Sequence, residues 1–295
     1  MSETQRVPVR KAVILAAGFG TRMLPATKAQ PKEALPLVDK PIIQYAVEEA
    51  AASGLREVII VTSMGKRAVE DHFDRSPELE QALAAKGDLA RLAEIQRISD
   101  LADIGYVRQH EQLGIGHAVL QVRNVIGREP FVLFLPDDVI ISEVPAAQQL
   151  INVFQAHGGS VLAVEEVPPA EVPNYGIVDG EPIDDGLWRV RGLIEKPAVT
   201  AAPSNLGIVG RYVLTPEIFD ALDETPPGKN GEIQITDGLA NLLKRQPMFA
   251  HRFAGRRYDT GRPLGLLKAS IEVALTRADL GPDLKTYLRS LDLYS

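Results

Sequence analysis

Four apolar runs of strand length, Ala12 to Ala17, Val58 to Thr62, Phe131 to Leu135 and Val161 to Val164, are bounded by charged, Gly, Pro or Ser residues. Runs this short and this uniformly apolar read as strands buried on both faces, and hence as parallel. Parallel strands need crossover connections, so the intervening segments must supply helices. Asp39 is expected to cap, and Pro41 to open, a helix through Ile42, Ile43, Tyr45, Ala46 and Ala50, with Gly54 as its stop. With its flanking strands, that helix makes a βαβ unit.

Residues 65–98 are rich in Ala, Leu, Glu, Lys and Arg, with breaks at Ser76-Pro77 and Gly87. They predict an insertion of two or three short helices. A strand near Tyr106 to Gln109 and helices over Gly116 to Asn124 and Ala146 to Ala156 complete an alternating first half. After Val167 the character changes to shorter strands, Tyr175 to Val178, Trp188 to Ile194 and Gly207 to Leu214, joined by Pro, Gly and Asp turns. That pattern predicts antiparallel pairing. Helices return at Glu217 to Leu222, Gln234 to Arg245 and Leu264 to Arg277, and no linker separates two units. The expectation is one α/β domain over residues 1–281, with halves at about 9–165 and 166–262 and the helical insertion at about 65–98. Residues 282–295 are expected to form a C-terminal helix available for association.

With 295 residues, 45% of them apolar, the chain can bury a sizeable core without disulfides. The absence of Cys excludes a thiolate nucleophile, Cys-ligated zinc and iron–sulfur clusters. A net charge of −7 argues against a general binder of nucleic acid or anionic membranes. The apolar run after the basic start is too short for a signal peptide, so a cytoplasmic protein is expected. His72, His110, His117, His157 and His251 form neither an i, i+4 metal pair nor a His-x-His element. A covalent intermediate on histidine is therefore not expected, and His117 reads as a structural hydrogen-bond partner.

The segment Leu15 to Pro36 follows the first strand directly. Gly18 and Gly20 leave backbone N–H groups open to close approach by phosphate oxygens, since no Cβ obstructs them. Between Gly18 and Lys32 the basic residues are Arg22, Lys28 and Lys32, and no acidic residue intervenes. In an anionic chain this is a local anion pocket, although two glycines after a strand also suit a plain tight turn. A dinucleotide fingerprint fails because Met23 stands at its third glycine, and the Walker spacing fails as well. Asp137 and Asp138 follow a buried strand, at the carboxyl edge where ligands of parallel sheets collect.

The elements Gly18-x-Gly-Thr-Arg-x-x-Pro25 and Pro31-Lys-Glu-x-Leu-Pro36 resemble the signature of sugar-1-phosphate nucleotidylyltransferases. Gly114 to Val119, Leu135 to Val139, Asn174 to Val178, Glu195-Lys-Pro197, Gly231 to Asp237 and Tyr258-Asp-Thr-Gly261 extend the resemblance over about residues 9–280. Their order and spacing are similar to those of the bacterial uridylyltransferases that act on glucose 1-phosphate.

That resemblance implies a three-layer, Rossmann-like, mixed and mostly parallel sheet with helices on both faces, its first half binding nucleotide and its second half sugar. It implies transfer of a uridylyl group from UTP to glucose 1-phosphate, giving UDP-glucose and pyrophosphate with Mg²⁺. Arg22 and Lys32 take the catalytic roles, at the β/γ-phosphates and the α-phosphate respectively. Nucleotide contacts fall to Ala16, Ala17, Gly18, Gly20, Thr21, Glu33, Gln109, Gly114 and Asp137. Sugar and phosphate contacts fall to Asp138, Tyr175, Gly176, Glu195, Lys196, Gly210 and Glu232, with Asp237 as support. Asp137 and Asp259 are the implied metal ligands, with Asp138 as the alternative in register, and a homo-oligomer, dimer or tetramer, is expected.

Within the resemblance, a thymidylyltransferase acting on the same sugar phosphate is the nearest alternative. The helical insertion, together with His117 between Gly116 and Ala118, favours the uridylyl enzyme. A related glycosyltransferase would have no use for Arg22 and Lys32 around a triphosphate. A non-catalytic sensor of nucleotide sugars would not need the acid-free loop either.

Overall fold

The structure, a computed structural model, describes residues 7–228 and 231–292. In chain order the strands are β1 (Lys11–Leu15), β2 (Pro36–Leu37), β3 (Lys40–Pro41), β4 (Glu57–Thr62), β5 (Asp103–Arg108), β6 (Phe131–Phe134) and β7 (Asp138–Ile141). They continue with β8 (Ser160–Glu166), β9 (Gly176–Asp184), β10 (Leu187–Glu195), β11 (Leu206–Leu214), β12 (Met248–Arg252) and β13 (Arg256–Asp259). Nine of them form one sheet in the order β5-β4-β1-β6-β11-β8-β12-β10-β9. Only β10 and β11 run against the rest, so the sheet is mixed and mostly parallel as expected.

Alternation along the strands divides the core into two layers. Val13, Ile59, Val61, Phe131 and Leu133 pack on one face with Val119, Phe219 and Leu239, from helices Ile115–Leu120, Ile218–Asp223 and Ile235–Leu243. Ala12, Ile14, Ile60, Val132 and Phe134 pack on the other with Val47, Val69 and Leu150, from helices Ile42–Ala52, Arg67–Phe73 and Ala146–His157. Burial on both faces is why these strands read as uninterrupted apolar runs.

The insertion resolves into three helices, Arg67–Phe73, Pro77–Ala85 and Leu89–Ser99. Several local expectations change. Asp39 does not cap the Ile42–Ala52 helix; its carboxylate pairs with Arg277, and Pro41 itself takes the cap position. The helix expected over Gly116 to Asn124 splits into Ile115–Leu120 and Arg123–Ile126, because i→i+3 bonds from Gln121 to Ala118 and from Val122 to Val119 tighten the turn between them. Strand β12, with too few apolar residues to stand out, enters the sheet between β8 and β10. The polar β13 pairs with β7 in a separate ribbon.

One buried cation ties the sheet to its crest. Arg211 of β11 is 1% exposed, and its guanidinium donates to both Glu49 carboxylate oxygens at 2.8–3.1 Å. It also donates to the carbonyls of Leu135 (3.1 Å), Gly210 (2.8 Å) and Asp138 (2.9 Å). Removing one member of a buried ion pair strands the other, at a cost of roughly 3–5 kcal/mol. Arg211→Met should therefore lower the urea-unfolding free energy by about that much, and the double variant Arg211→Met/Glu49→Leu by clearly less.

Candidate active site

The strand ends of the sheet and the loops above them enclose a cleft of about 650 Å³. Every site residue expected from the sequence lines it except Ala16, and Asp237 lies outside it as well. Ala16 is fully buried, with its N–H on the Val61 carbonyl, because it prolongs the β1–β4 ladder beneath the loop instead of facing the cleft. Asp237 is largely exposed in the first turn of the Ile235–Leu243 helix; partial desolvation where the helix meets the protein, and then repulsion from Glu195, push its carboxyl upward.

At the glycine-loop end, β1 delivers Ala17, Gly18, Gly20 and Thr21 to the rim, and short turns at Thr21–Met23 and Lys32–Ala34 place Arg22 and Lys32. Lys32 Nζ lies 2.6 Å from Asp137 Oδ2, and Arg22 Nη2 lies 3.7 Å from the same oxygen. Burial alone would lower the Lys32 ammonium, but Asp137 and then Glu33 outweigh it and hold the group above its ordinary value. Burial likewise works to raise Asp137, and Lys32 and Arg22 outweigh it to hold that carboxyl low. The lysine and the aspartate therefore stand charged and mutually satisfied.

Glu33 is buried, and burial pushes its carboxyl upward against the opposing pull of Lys32 and Lys66. Gln109 Nε2 sits 3.0 Å from His117 Nδ1 and 3.3 Å from the Gly114 carbonyl, so His117 takes the structural role expected of it. Gly114 is fixed by geometry: its φ is +98°, and a Cβ there would stand 2.7 Å from the Ile233 carbonyl oxygen.

Asp138 differs from its neighbour. Its Oδ2 accepts the Gly210 N–H at 2.8 Å and its Oδ1 accepts from Arg257 Nε at 2.6 Å. Burial raises its carboxyl, Arg257 opposes this, and the Asp137 charge adds to it. Both Asp138 oxygens are thereby committed within the protein, whereas Asp137 presents Oδ2 to Lys32 and Arg22. Asp259 stands opposite Asp138 in the β7–β13 ribbon, and Thr260 donates both its N–H and its hydroxyl to the Asp137 carbonyl at 2.8 Å. A Cβ on Gly261 would lie 2.8 Å from Asp137 Oδ2, 3.0 Å from Arg22 Nη2 and 3.2 Å from Asp259 Oδ1. Both carboxylates and Arg22 thus converge on the space that Gly261 leaves open.

At the far end Glu195 accepts from the Thr236 hydroxyl at 2.7 Å and pairs with Lys196 at 2.9 Å. Lys196 has φ +45°, a left-handed conformation that few non-glycine residues adopt, held by its N–H on the Tyr175 carbonyl at 3.0 Å. Arg257 Nη1 donates to the Tyr175 hydroxyl and to Glu165 Oε2, each at 3.1 Å.

Residues 11–275 match the family described as Nucleotidyl transferase. The chain belongs to that family. It is 48% identical over 285 residues to a UTP–glucose-1-phosphate uridylyltransferase from Staphylococcus epidermidis, spanning 97% of this chain and 99% of that one. A UDP-glucose pyrophosphorylase solved in complex with UDP-glucose superposes with a TM-score of 0.83 at 44% identity, covering 91% of this chain and all of the other. A UTP-bound UGPase from Acinetobacter baumannii superposes with a TM-score of 0.89 at 39% identity, covering 96% and 99%.

Arg257, Thr236 and Lys66 belong to the nucleotidyl transferase's cleft or its backing, and sequence reasoning passed over them. Arg257 had a usable signal: two residues before Asp259 on a strand, it must share that residue's face. For Gly261→Ala the new methyl would drive Asp137, Arg22 and Asp259 apart. Contacts of 2.8–3.2 Å would have to open by a few tenths of an ångström, and since misplacement by about 1 Å costs on the order of 10²-fold in rate, a loss of roughly tenfold is expected. Steady-state kinetics of Gly261→Ala should show a fall in kcat of that order while the melting temperature stays near wild type.

Proposed function

We propose that this nucleotidyl transferase joins UTP and glucose 1-phosphate into UDP-glucose and pyrophosphate. The observation that carries the reading is the cleft's chemical division. Arg22 and Lys32 gather with the glycine loop around Asp137 on one side, and Glu195, Lys196, Tyr175 and the Arg257–Asp138 pair line another. The names of the relatives support the substrate pair.

A phosphate oxygen of glucose 1-phosphate attacks the α-phosphorus of UTP in line. The bond from that phosphorus to the bridging oxygen breaks, and pyrophosphate leaves. Such chemistry is accelerated by positioning and charge stabilisation, with little covalent work for the protein. Arg22, half exposed at the rim, grips the β- and γ-phosphates. Lys32 exchanges its contact with Asp137 for the α-phosphate and stabilises the charge that builds there. Ala17, Gly18, Glu33, Gln109 and Gly114 face the uridine, and Gly20 and Thr21 the phosphate chain. Glu195, Asp138, Tyr175, Gly176, Gly210 and Glu232 orient the sugar, and Lys196 its phosphate.

Asp137 and Asp259 are the residues that would hold Mg²⁺. Two oxygen donors flanking a phosphate site match that ion, which takes one or two carboxylates and fills its remaining positions with phosphate oxygens and water. Among the described residues no cluster of three or more metal-binding side chains competes with them. When bound, the ion would neutralise and orient the triphosphate.

We also read residues 1–281 as one domain, since a single sheet runs through both halves; residues 1–6 and 229–230 lie outside the described residues. No helix among the described residues is long and apolar enough to cross a membrane. A nucleoside triphosphate substrate fits a cytoplasmic site of action. The helix Gly281–Ser290 is the proposed contact of a homo-oligomer, with Tyr287 and the nearby Leu264 and Leu267 exposed; residues 293–295 of that segment lie outside the described residues.

Assays of each nucleoside triphosphate against each hexose 1-phosphate should give fastest pyrophosphate release with UTP and glucose 1-phosphate; preference for another pair would overturn the assignment. Arg22→Ala and Lys32→Ala should each lower kcat by on the order of 10²-fold, the usual effect of losing one electrostatic donor. Chelation by EDTA should abolish turnover and Mg²⁺ should restore it. Asp137→Asn should raise the Mg²⁺ concentration needed for half-maximal rate, whereas Asp138→Asn should chiefly raise KM for the sugar phosphate.

A further inference from the structure

Behind the glycine loop lies a lysine that does not line the cleft. Lys66 is 6% exposed, and its ammonium donates to the Gly18 carbonyl at 2.6 Å and to Glu33 Oε2 at 2.8 Å. Next to it, the buried Ser63 hydroxyl donates to the Ala17 carbonyl at 2.9 Å. On the other side of the loop the Gly20 carbonyl accepts from the Thr27 hydroxyl at 2.8 Å and from the Met23 N–H at 2.9 Å. Three carbonyls of one short loop are thereby anchored within the protein.

A trans peptide is planar, so its C=O and the following N–H point in opposite directions. Anchoring the carbonyls of Ala17, Gly18 and Gly20 therefore turns the N–H groups of Gly18, Phe19 and Thr21 the other way. Among the described residues none of these N–H groups has an acceptor. Gly18, Phe19, Gly20 and Thr21 all line the cleft. A concave row of unpaired N–H groups is an anion-binding nest.

We propose that Lys66 is a positioning residue for nucleotidyl transfer, acting on the phosphate chain through the loop backbone and not by touching substrate. Glu33 balances the ammonium's charge, so what Lys66 contributes is the orientation of the Gly18–Phe19 peptide. With the ammonium gone, that peptide is free to rotate and present its carbonyl oxygen to a polyanion. Ser63 performs the same task one peptide earlier, with a neutral donor. The inference rests on the reading of this cleft as a UTP site and adds to it the device that polarises the loop.

The test compares phosphate-bearing and phosphate-free ligands of the same pocket. In Lys66→Met, KM for UTP and the inhibition constant for pyrophosphate should rise about tenfold or more. KM for glucose 1-phosphate should stay within about twofold of wild type, and the inhibition constant for uridine, whose contact Glu33 pairs with Lys66, should rise clearly less than that for pyrophosphate. A structural role alone would weaken uridine and UTP together, and that result, or unchanged affinity for pyrophosphate, overturns the proposal. Should Lys66→Met fail to fold, Ser63→Ala decides: a selective, milder loss for UTP and pyrophosphate supports it, and unchanged binding of both overturns it. If the wild-type protein shows no turnover with UTP and glucose 1-phosphate, it is the functional reading itself that fails.

Discussion

The Arg211 guanidinium is the contact on which the geometry of the cleft depends. A cation this deeply buried is tolerable only when its charge and its hydrogen-bonding capacity are both satisfied. Glu49 meets the first need and three carbonyls help to meet the second. Those partners are distributed so that satisfying the arginine locks helix Ile42–Ala52, the crest of β11 and the turn from Leu135 to Asp138 together. The Gly210 N–H closes the arrangement by returning to Asp138 Oδ2. The two aspartates of the cleft consequently stand on a turn whose carbonyls are already committed.

On that frame the cleft keeps its charges in pairs. Lys32 faces Asp137, Arg257 faces Asp138, Lys66 faces Glu33 and Lys196 faces Glu195. The pairs are not equivalent. Arg257–Asp138 and Lys66–Glu33 are almost wholly buried and carry further hydrogen bonds, so they act as fixtures. Lys32 is less enclosed, and Asp137 is its shared partner with Arg22. Asp137 Oδ2 is therefore shared by two cations, Lys32 at 2.6 Å and Arg22 at 3.7 Å, at the mouth of the glycine loop. Preorganised charge of this kind needs no reorganisation at the moment of reaction.

Much of the site was legible because it is local. The glycine loop, the paired aspartates and the Glu195-Lys196 turn each occupy a few successive residues at a strand end, and all of them line one cleft. Ala16 was misjudged because a contiguous stretch of sequence does not reveal where a strand stops and its loop begins. Arg257 and Lys66 were missed for a related reason. A basic residue in a polar stretch looks solvated until the fold buries it against a partner, 119 residues away for Arg257 and Asp138 and 48 for Lys66 and Gly18.

Short apolar runs with helical segments between them were sufficient for a layered α/β architecture, since burial on two faces is written in the side chains of each strand. The acid-free glycine loop was likewise readable as a cluster of cations and open backbone beside a strand end, since backbone access and local charge depend on near neighbours alone. Which carbonyls that loop turns inward, which aspartate is tied to Arg257, and how β12 slips between β8 and β10 were decided only in three dimensions. Buried hydrogen bonds and ion pairs are satisfied by whichever group the packed chain brings within about 3 Å, and no local pattern of residues specifies that group.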